Sequence, residues 1–398
     1  MPTPEATKRT LWVIVASATL TVMAGAILGP VVPGIQAGLG VSESLAGLII
    51  TTHGLFIVLT SPLAGAIIDR FGPRRPFVGG LLVYAVGGGA GLVVETFAPL
   101  LVSRAVLGIG TAFVYTGVTV LIYDLYEGQR MDRALGLRSS ANSAGAAVWP
   151  LVGGALGTLS WQFPFAVYLI ALPLGLLAVV TVPETGRGST NTAANGGADP
   201  SRTDGGLAGV VSVFRRRPAL LAVYLLYFGA NTLLYSIVVF YPQLLEGVGI
   251  TSSFSISLYL AANGAAGGLS AVAYDRLKRR VGAHALVLAA LGLWSLAFAL
   301  AVVADSALLA VPPVVCFGLG LGLVFPSSFA WVESLAPADR QGQYSSYVAS
   351  FGYIGQFLSP VLFGPLVPLV GVRGVFGAAA AVAVTGALSL GGTLLWRR

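Results

Sequence analysis

Twelve long apolar runs, separated by short polar turns, constrain this chain more than any other feature. A helix needs roughly 20 mainly apolar residues to cross a bilayer. Residues 11–33, 46–68, 77–95, 97–124, 133–158, 163–182, 218–242, 252–273, 283–303, 306–335, 344–370 and 374–396 each supply such a run. Several are longer, which permits tilt or projection beyond the bilayer. Runs 133–158 and 344–370 are rich in Gly, Ser and Pro, and neighbouring helices satisfy such segments where lipid could not. Only 9% of the 398 residues are charged, against about 25% in soluble domains, which argues against a water-soluble fold. The 53 glycines suit helices that approach closely in lipid. The first run exceeds a signal-peptide core and eleven others follow it, so it reads as a retained span. The expected fold is an all-α polytopic membrane protein with twelve transmembrane helices.

The net charge of +7 does not point to nucleic acid, because the basic residues lie in short loops between apolar runs. With the N-terminus inside, 20 of the 22 Lys and Arg residues fall on the cytoplasmic side, Arg130, Arg133 and Arg138 among them. Arg373 falls in an outer loop and Arg104 within a span. Both termini are therefore expected in the cytoplasm, in a multi-pass protein of the plasma membrane. The single cysteine, Cys316, cannot form an intrachain disulfide. No metal, cofactor or nucleotide loop is indicated, and no nucleophile–base pairing is visible, so the chain is not read as an enzyme.

Residues 184–209 are polar and rich in Gly, Ser, Thr and Asn, which reads as a flexible cytoplasmic linker. The chain divides into six spans in 1–183, a linker in 184–214 and six spans in 215–398, with a short interfacial helix expected over 208–214. The halves look duplicated. Asp69-Arg70 matches Asp275-Arg276, and Ser139-Ser140 matches Ser345-Ser346, each 206 residues apart. Asp132-Arg133 matches Asp339-Arg340 at 207 residues, and Asp124 has a counterpart in Glu333. Two six-span repeats around a central site are a transporter plan.

The loop after the second run reads Gly65-Ala-Ile-Ile-Asp69-Arg70-Phe-Gly72-Pro73-Arg74-Arg75. This resembles the G-x-x-x-D-R-x-G-R-[RK] signature of the major facilitator superfamily, with Pro73 replacing one basic residue. Arg104, Gly108 and Gly110 resemble the family's fourth-span R-x-x-x-G-x-G. Gly145, Pro150, Gly153 and Gly154 partly resemble the fifth-span element of its twelve-span drug/proton antiporters, with Trp149 where glycine precedes the proline. Leu28 to Pro33 also looks like the family's first-span ending. The resemblance covers essentially the whole chain. It implies two pseudo-symmetric six-helix bundles that rock about a central cavity, and a latch made by Gly65, Asp69, Arg70, Gly72 and Arg74. Asp69 would dock near Ser345-Ser346, and Arg70 or Arg74 would pair with Asp124. Asp275, Arg276 and Glu333 would form the matching latch near Ser139-Ser140. The alternative for both is a topogenic basic loop with no moving part.

Arg104 is a functional candidate because a buried cation in a membrane is costly. The resemblance implies proton coupling or substrate polarity; the alternative is snorkelling to outer headgroups. Proton coupling needs a titratable group, and the middle of the first span carries no acid. His53 has a suitable intrinsic pKa, with hydrogen-bonded packing as the alternative. Tyr115, Asn142, Trp149, Tyr227, Asn231, Tyr235, Asn263, Phe325 and Gln356 are the expected cavity residues. An aromatic and amide lining, with Arg104 the sole cation within a span, suits an uncharged or weakly cationic amphipathic solute. The expected activity is proton-coupled efflux of such a solute by a monomer. Uptake of a sugar or organic acid is the alternative. A non-transporting receptor would have little use for both Asp-Arg pairs.

Overall fold

The computed structural model describes residues 8–184, 217–336 and 341–396. Apart from Glu184, the expected linker lies outside the described residues, as do the helix expected over 208–214, Asp339-Arg340 and Arg397-Arg398. The described chain is almost wholly helical. The α-helices are α1 (Lys8–Ala26), α2 (Val32–Leu39), α3 (Glu43–Phe71), α4 (Arg74–Gly89), α5 (Phe97–Leu125), α6 (Gly128–Gly157), α7 (Ala171–Thr181), α8 (Pro218–Gly247), α9 (Ser253–Val281), α10 (Ala283–Val303), α11 (Val311–Leu335), α12 (Gln341–Phe363) and α13 (Val367–Trp396). A 3-10 segment at Gly29–Val31 joins α1 to α2, and another at Phe163–Ile170 runs into α7.

Among the described residues, nine helical runs are long and apolar enough to cross a membrane. One of them, Tyr344–Gly392, spans 49 residues and contains both α12 and α13, broken where Gly371 adopts φ 70° and ψ 173°. The expected third and fifth spans correspond to α4 and α6, which are not among the nine. Helix α4 has only 16 residues and opens on Arg74-Arg75. Helix α6 is 30 residues long but carries many polar and small residues.

The apolar side chains gather into separate cores. One is built from Val13 to Val182, with Tyr235 reaching in from α8. A second runs from Ala230 to Ala383, and a smaller cluster joins Leu220, Tyr224, Tyr344 and Val348. Each half thus buries most of its own apolar surface.

The geometry gives the duplication a different register from the charge pattern. Helices α1 and α8 begin 210 residues apart, at Lys8 and Pro218. Helices α3 and α9 have 29 residues each and the same offset. Both end on a glycine in nearly the same conformation, Gly72 at φ 79°, ψ 161° and Gly282 at φ 81°, ψ 158°. A residue with a Cβ is strained there, so glycine is fixed at both sites. Pro150 and Pro360, inside α6 and α12, also stand 210 residues apart. The counterpart of Gly72 is therefore Gly282, not Lys278. Asp275 sits four residues, about one helical turn, nearer the middle of the molecule than the position equivalent to Asp69.

At one end of the seam the halves are tightly joined. Gly47 of α3 lies against Pro360 and Val239, and Gly29 against Leu260 and Val238. Gly154 and Gly157 of α6 lie against Ser253 and Ser257 of α9, and Gly364 against Ser44. The other end carries Asp69 to Arg75, Arg133 and Asp275 to Arg280. There Ser139, Ser140, Asp275 and Arg276 are all exposed, and no ion pair joins them among the described residues. We call these the sealed end and the basic end.

Candidate functional site

The signature loop is shaped by its glycine and proline. Gly72 turns the chain out of α3, and Pro73 occupies the residue before α4. A missing N–H costs little at a helix start. Arg74 donates to Glu184 Oε2 at 3.3 Å and to the Val179 carbonyl, while Arg75 Nε lies 3.2 Å from Glu184 Oε1. These contacts tie the start of α4 to the end of α7. Arg74 therefore binds Glu184, a residue not anticipated for this role. The Arg70 guanidinium lies over the Phe71 ring at 5.4 Å. Gly65 is buried in α3, Asp69 is exposed in its last turn, and Asp124 is half-buried in the last turn of α5. Glu333 is exposed in the last turn of α11.

Arg104 turns inward and is completely buried. Its Nη2 donates to the Gly87 and Gly88 carbonyls at 2.8 Å each, and its guanidinium lies 4.9 Å from the Phe165 ring and 5.0 Å from the Tyr168 ring. Gly87 and Gly88 lie in the last turn of α4, so the cation meets carbonyls at the negative end of a helix dipole. Snorkelling is not the observed arrangement. The side chain braces α4, α5 and the Phe163–Ile170 segment inside the first half.

His53 is buried in α3 and its Nδ1 lies 2.6 Å from the Ile50 carbonyl. A carbonyl only accepts, so Nδ1 carries the proton and Nε2 offers a lone pair. Gly108 of α5 abuts the His53 backbone. Gly25 of α1 leaves the gap beside the ring: a Cβ there would stand 3.0 Å from His53 Cε1 and 2.5 Å from the Tyr235 hydroxyl. Tyr235 belongs to α8, so the histidine meets the other half of the molecule at this point.

Next to it lies an aromatic and amide cluster drawn from both halves. Tyr227 of α8 packs on Phe325 at 5.1 Å and Phe329 at 5.6 Å, both from α11. Gln356 Nε2 donates to Asn231 Oδ1 at 3.0 Å, and Asn231 Nδ2 donates to the Tyr227 carbonyl at 2.9 Å. Tyr353 of α12 lies within electrostatic reach of Tyr115, Tyr227, Tyr235 and Arg138. The Arg138 guanidinium covers the Tyr115 ring at 5.1 Å. Tyr115, Tyr227, Tyr235, Asn231, Phe325 and Gln356 are thus brought together. Asn263 is not among them; its Nδ2 donates to the Val314 carbonyl at 2.9 Å within the second half.

Arg138, Phe329 and Tyr353 are the members that sequence reasoning missed. Counted on the cytoplasmic side from charge alone, Arg138 lies inside the run 133–158, ten residues into α6, so Arg104 is not the sole cation within the spans. Its spacing to Asn142, Gly145 and Trp149 puts all four on one helix face, a signal available in the sequence. Asn142 Oδ1, Trp149 Nε1 and Gln356 Oε1 are buried with no hydrogen-bond partner. The remaining fifth-span residues belong to the seal. Pro150 is buried, Gly153 lies against the Ile27 backbone and Gly154 against Ser257.

The sequence model described as the Major Facilitator Superfamily matches residues 14–360. Multidrug resistance protein 1 of Bacillus subtilis (strain 168) is 26% identical over 361 residues, covering 90% of this chain and 89% of that protein. Multidrug efflux protein YfmO of the same organism is 26% identical over 380 residues, with 90% and 86% covered. The nucleoside transporter NupG structure superposes with a TM-score of 0.80 at 15% identity, covering 97% of this chain and 99% of that one. An inward-facing bacterial homologue of the lysosomal transporter Spinster gives 0.78 at 16% identity, with 98% and 97% covered. Likeness at such identities speaks for the fold, and the match over residues 14–360 for the lineage: the chain belongs to the Major Facilitator Superfamily.

Proposed function

We propose that this multi-pass membrane protein exports a small amphipathic compound in exchange for protons, by alternating access between its halves. The observation that carries the reading is the second-half cluster of Tyr227, Asn231, Phe325 and Gln356, within electrostatic reach of Tyr115 from the first half. The names of the relatives, multidrug resistance protein 1 and multidrug efflux protein YfmO, support export. The clustering of Lys and Arg at the basic end supports placing that end and both termini in the cytoplasm. The described conformation is then open inward and sealed outward. One copy supplies both faces of the cluster, which supports a monomer.

His53 is the proton carrier in this reading. An imidazole titrates near neutral pH when hydrated, and Tyr235 of the other half borders the same Gly25 gap as the His53 ring in the outward-sealed state. Arg104, on α5, is the charged group within electrostatic reach of the ring. Rocking the halves apart at the sealed end would withdraw Tyr235 and admit water to Nε2. Asp69 and Asp275 remain the gating candidates at the basic end, with Glu184 holding Arg74 and Arg75 in place.

The test uses the full chain in proteoliposomes with an enclosed pH dye and a panel of amphipathic fluorescent compounds. An imposed pH gradient drives uphill movement of a compound, and that compound in turn drives protons the other way. His53→Gln keeps a donor for Ile50 but cannot titrate, so it retains downhill exchange and loses uphill transport. Compound movement without proton movement would remove the antiport reading. Unchanged uphill transport by His53→Gln would remove histidine from the coupling.

A further inference from the structure

We propose that Arg138 of α6 binds the anionic headgroup of the transported compound, an aromatic carboxylate or a similar aryl anion whose body extends along the same helix face past Asn142 toward Trp149. The proposal rests on the transport reading above and names the substrate class for that same cluster. Arg138 stands ten residues into α6, about 15 Å along the helix from its start. It is half-buried and its guanidinium lies 5.1 Å from the Tyr115 ring. Among the described residues it forms no ion pair. The nearest acid on α5, Asp124, is nine residues beyond Tyr115, about 13 Å along that helix. Asp132 is six residues back on α6 itself and exposed. Half-exposed while the basic end is open, this cation loses hydration when that end closes, which is costly unless something neutralises it.

The surroundings describe what would do so. Trp149, three turns along the same face, has its indole N–H buried without an acceptor. Arg138 and Trp149 are therefore donors on one face, and no acceptor for either is found among the described residues. A carboxylate satisfies a guanidinium in a forked, charge-assisted bond. Tyr115 on one half and Tyr227, Phe325 and Phe329 on the other supply flat apolar faces for a ring. Asn142 Oδ1 and Gln356 Oε1 are acceptors without donors, so the compound also carries an N–H or O–H group. A permanent cation fits badly here, because Arg138 repels it and no carboxylate belongs to the cluster.

The experiment measures binding to the purified full chain by energy transfer from tryptophan to pyrene. The probes are 1-pyrenebutyrate, the neutral 1-pyrenebutanol and a pyrenebutyl trimethylammonium of the same length. The wild-type chain binds the carboxylate at least about tenfold more tightly than the alcohol, as a charge-assisted hydrogen bond requires. Arg138→Gln erases that preference by weakening the carboxylate alone, and Arg138→Lys retains part of it. Unchanged alcohol binding in both variants reports an intact fold. Equal or absent binding of carboxylate and alcohol to the wild type, tighter binding of the ammonium, or a preference that survives Arg138→Gln would overturn the proposal. The proton-movement assay reads the transport function separately: antiport of compounds without charge preference would sink the headgroup site and leave the exporter standing.

Discussion

Gly25 shows how little space separates the halves at the level of a single residue. A methyl group there meets the Tyr235 hydroxyl at 2.5 Å and His53 Cε1 at 3.0 Å. Overpacking of this kind costs about 1–3 kcal/mol. Gly25→Ala is expected to lower the temperature at which purified protein loses its monodisperse form. Adding Tyr235→Phe removes the closest atom and restores most of the loss, whereas His53→Gln does not. An additive double variant would mean that the two side chains do not share this gap. Such contacts lie beyond sequence reasoning, because they depend on which helix of the second half faces α1. Arg104 and Arg138 make the same point. Both are arginines within spans, and only the packing distinguishes them: one donates through Nη2 to the carbonyls of Gly87 and Gly88, the other lies over the half-buried Tyr115 ring. Asn263 could equally have faced the cluster, but the Val314 carbonyl claims its amide.

The helices themselves were largely legible, since hydrophobic run length follows directly from bilayer thickness. Each run from 11–33 to 374–396 overlaps an observed helix. What the residues misreported was the register between repeats. The Asp-Arg pairs match at 206 and 207 residues, while the starts of α1 and α8, the starts of α3 and α9, the glycine ends and the paired prolines match at 210. Charged residues at helix ends can slide by a turn and still reach water or a partner, whereas a left-handed glycine or an internal proline is fixed by backbone geometry. The prolines therefore deserve the closer functional reading. Pro150 sits beside the Gly153–Gly154 contact, and the Pro360 ring lies against Gly47. Each removes one internal hydrogen bond from a helix that crosses the seam, which permits bending. Pro150→Ala combined with Pro360→Ala is expected to slow turnover in proteoliposomes severalfold without reducing the amount of protein inserted. Unchanged turnover would assign these prolines to packing alone.

For the whole molecule, the alternating-access reading requires the sealed end to part once per cycle. Ser44 and Gly364 touch across that end, and the chain has one native thiol, half-buried Cys316. Ser44→Cys with Gly364→Cys is expected to halt transport on oxidation and to regain it on reduction. Transport by fully cross-linked protein would rule out rocking at this seam. The family and the two-fold plan could be inferred from the signature motifs, but the conformation could not, because one sequence must be compatible with every state of the cycle. The two ends also differ in the forces that hold them. Across the sealed end, the contacts described run between glycine, serine, proline and aliphatic groups, and short-range packing of that kind is indifferent to dissolved ions. At the basic end, guanidinium and carboxylate groups stand in water, where their mutual forces are screened over about 8 Å at physiological salt. The ionic strength of the compartment at the basic end is thus expected to bear on one half of the cycle and scarcely on the other.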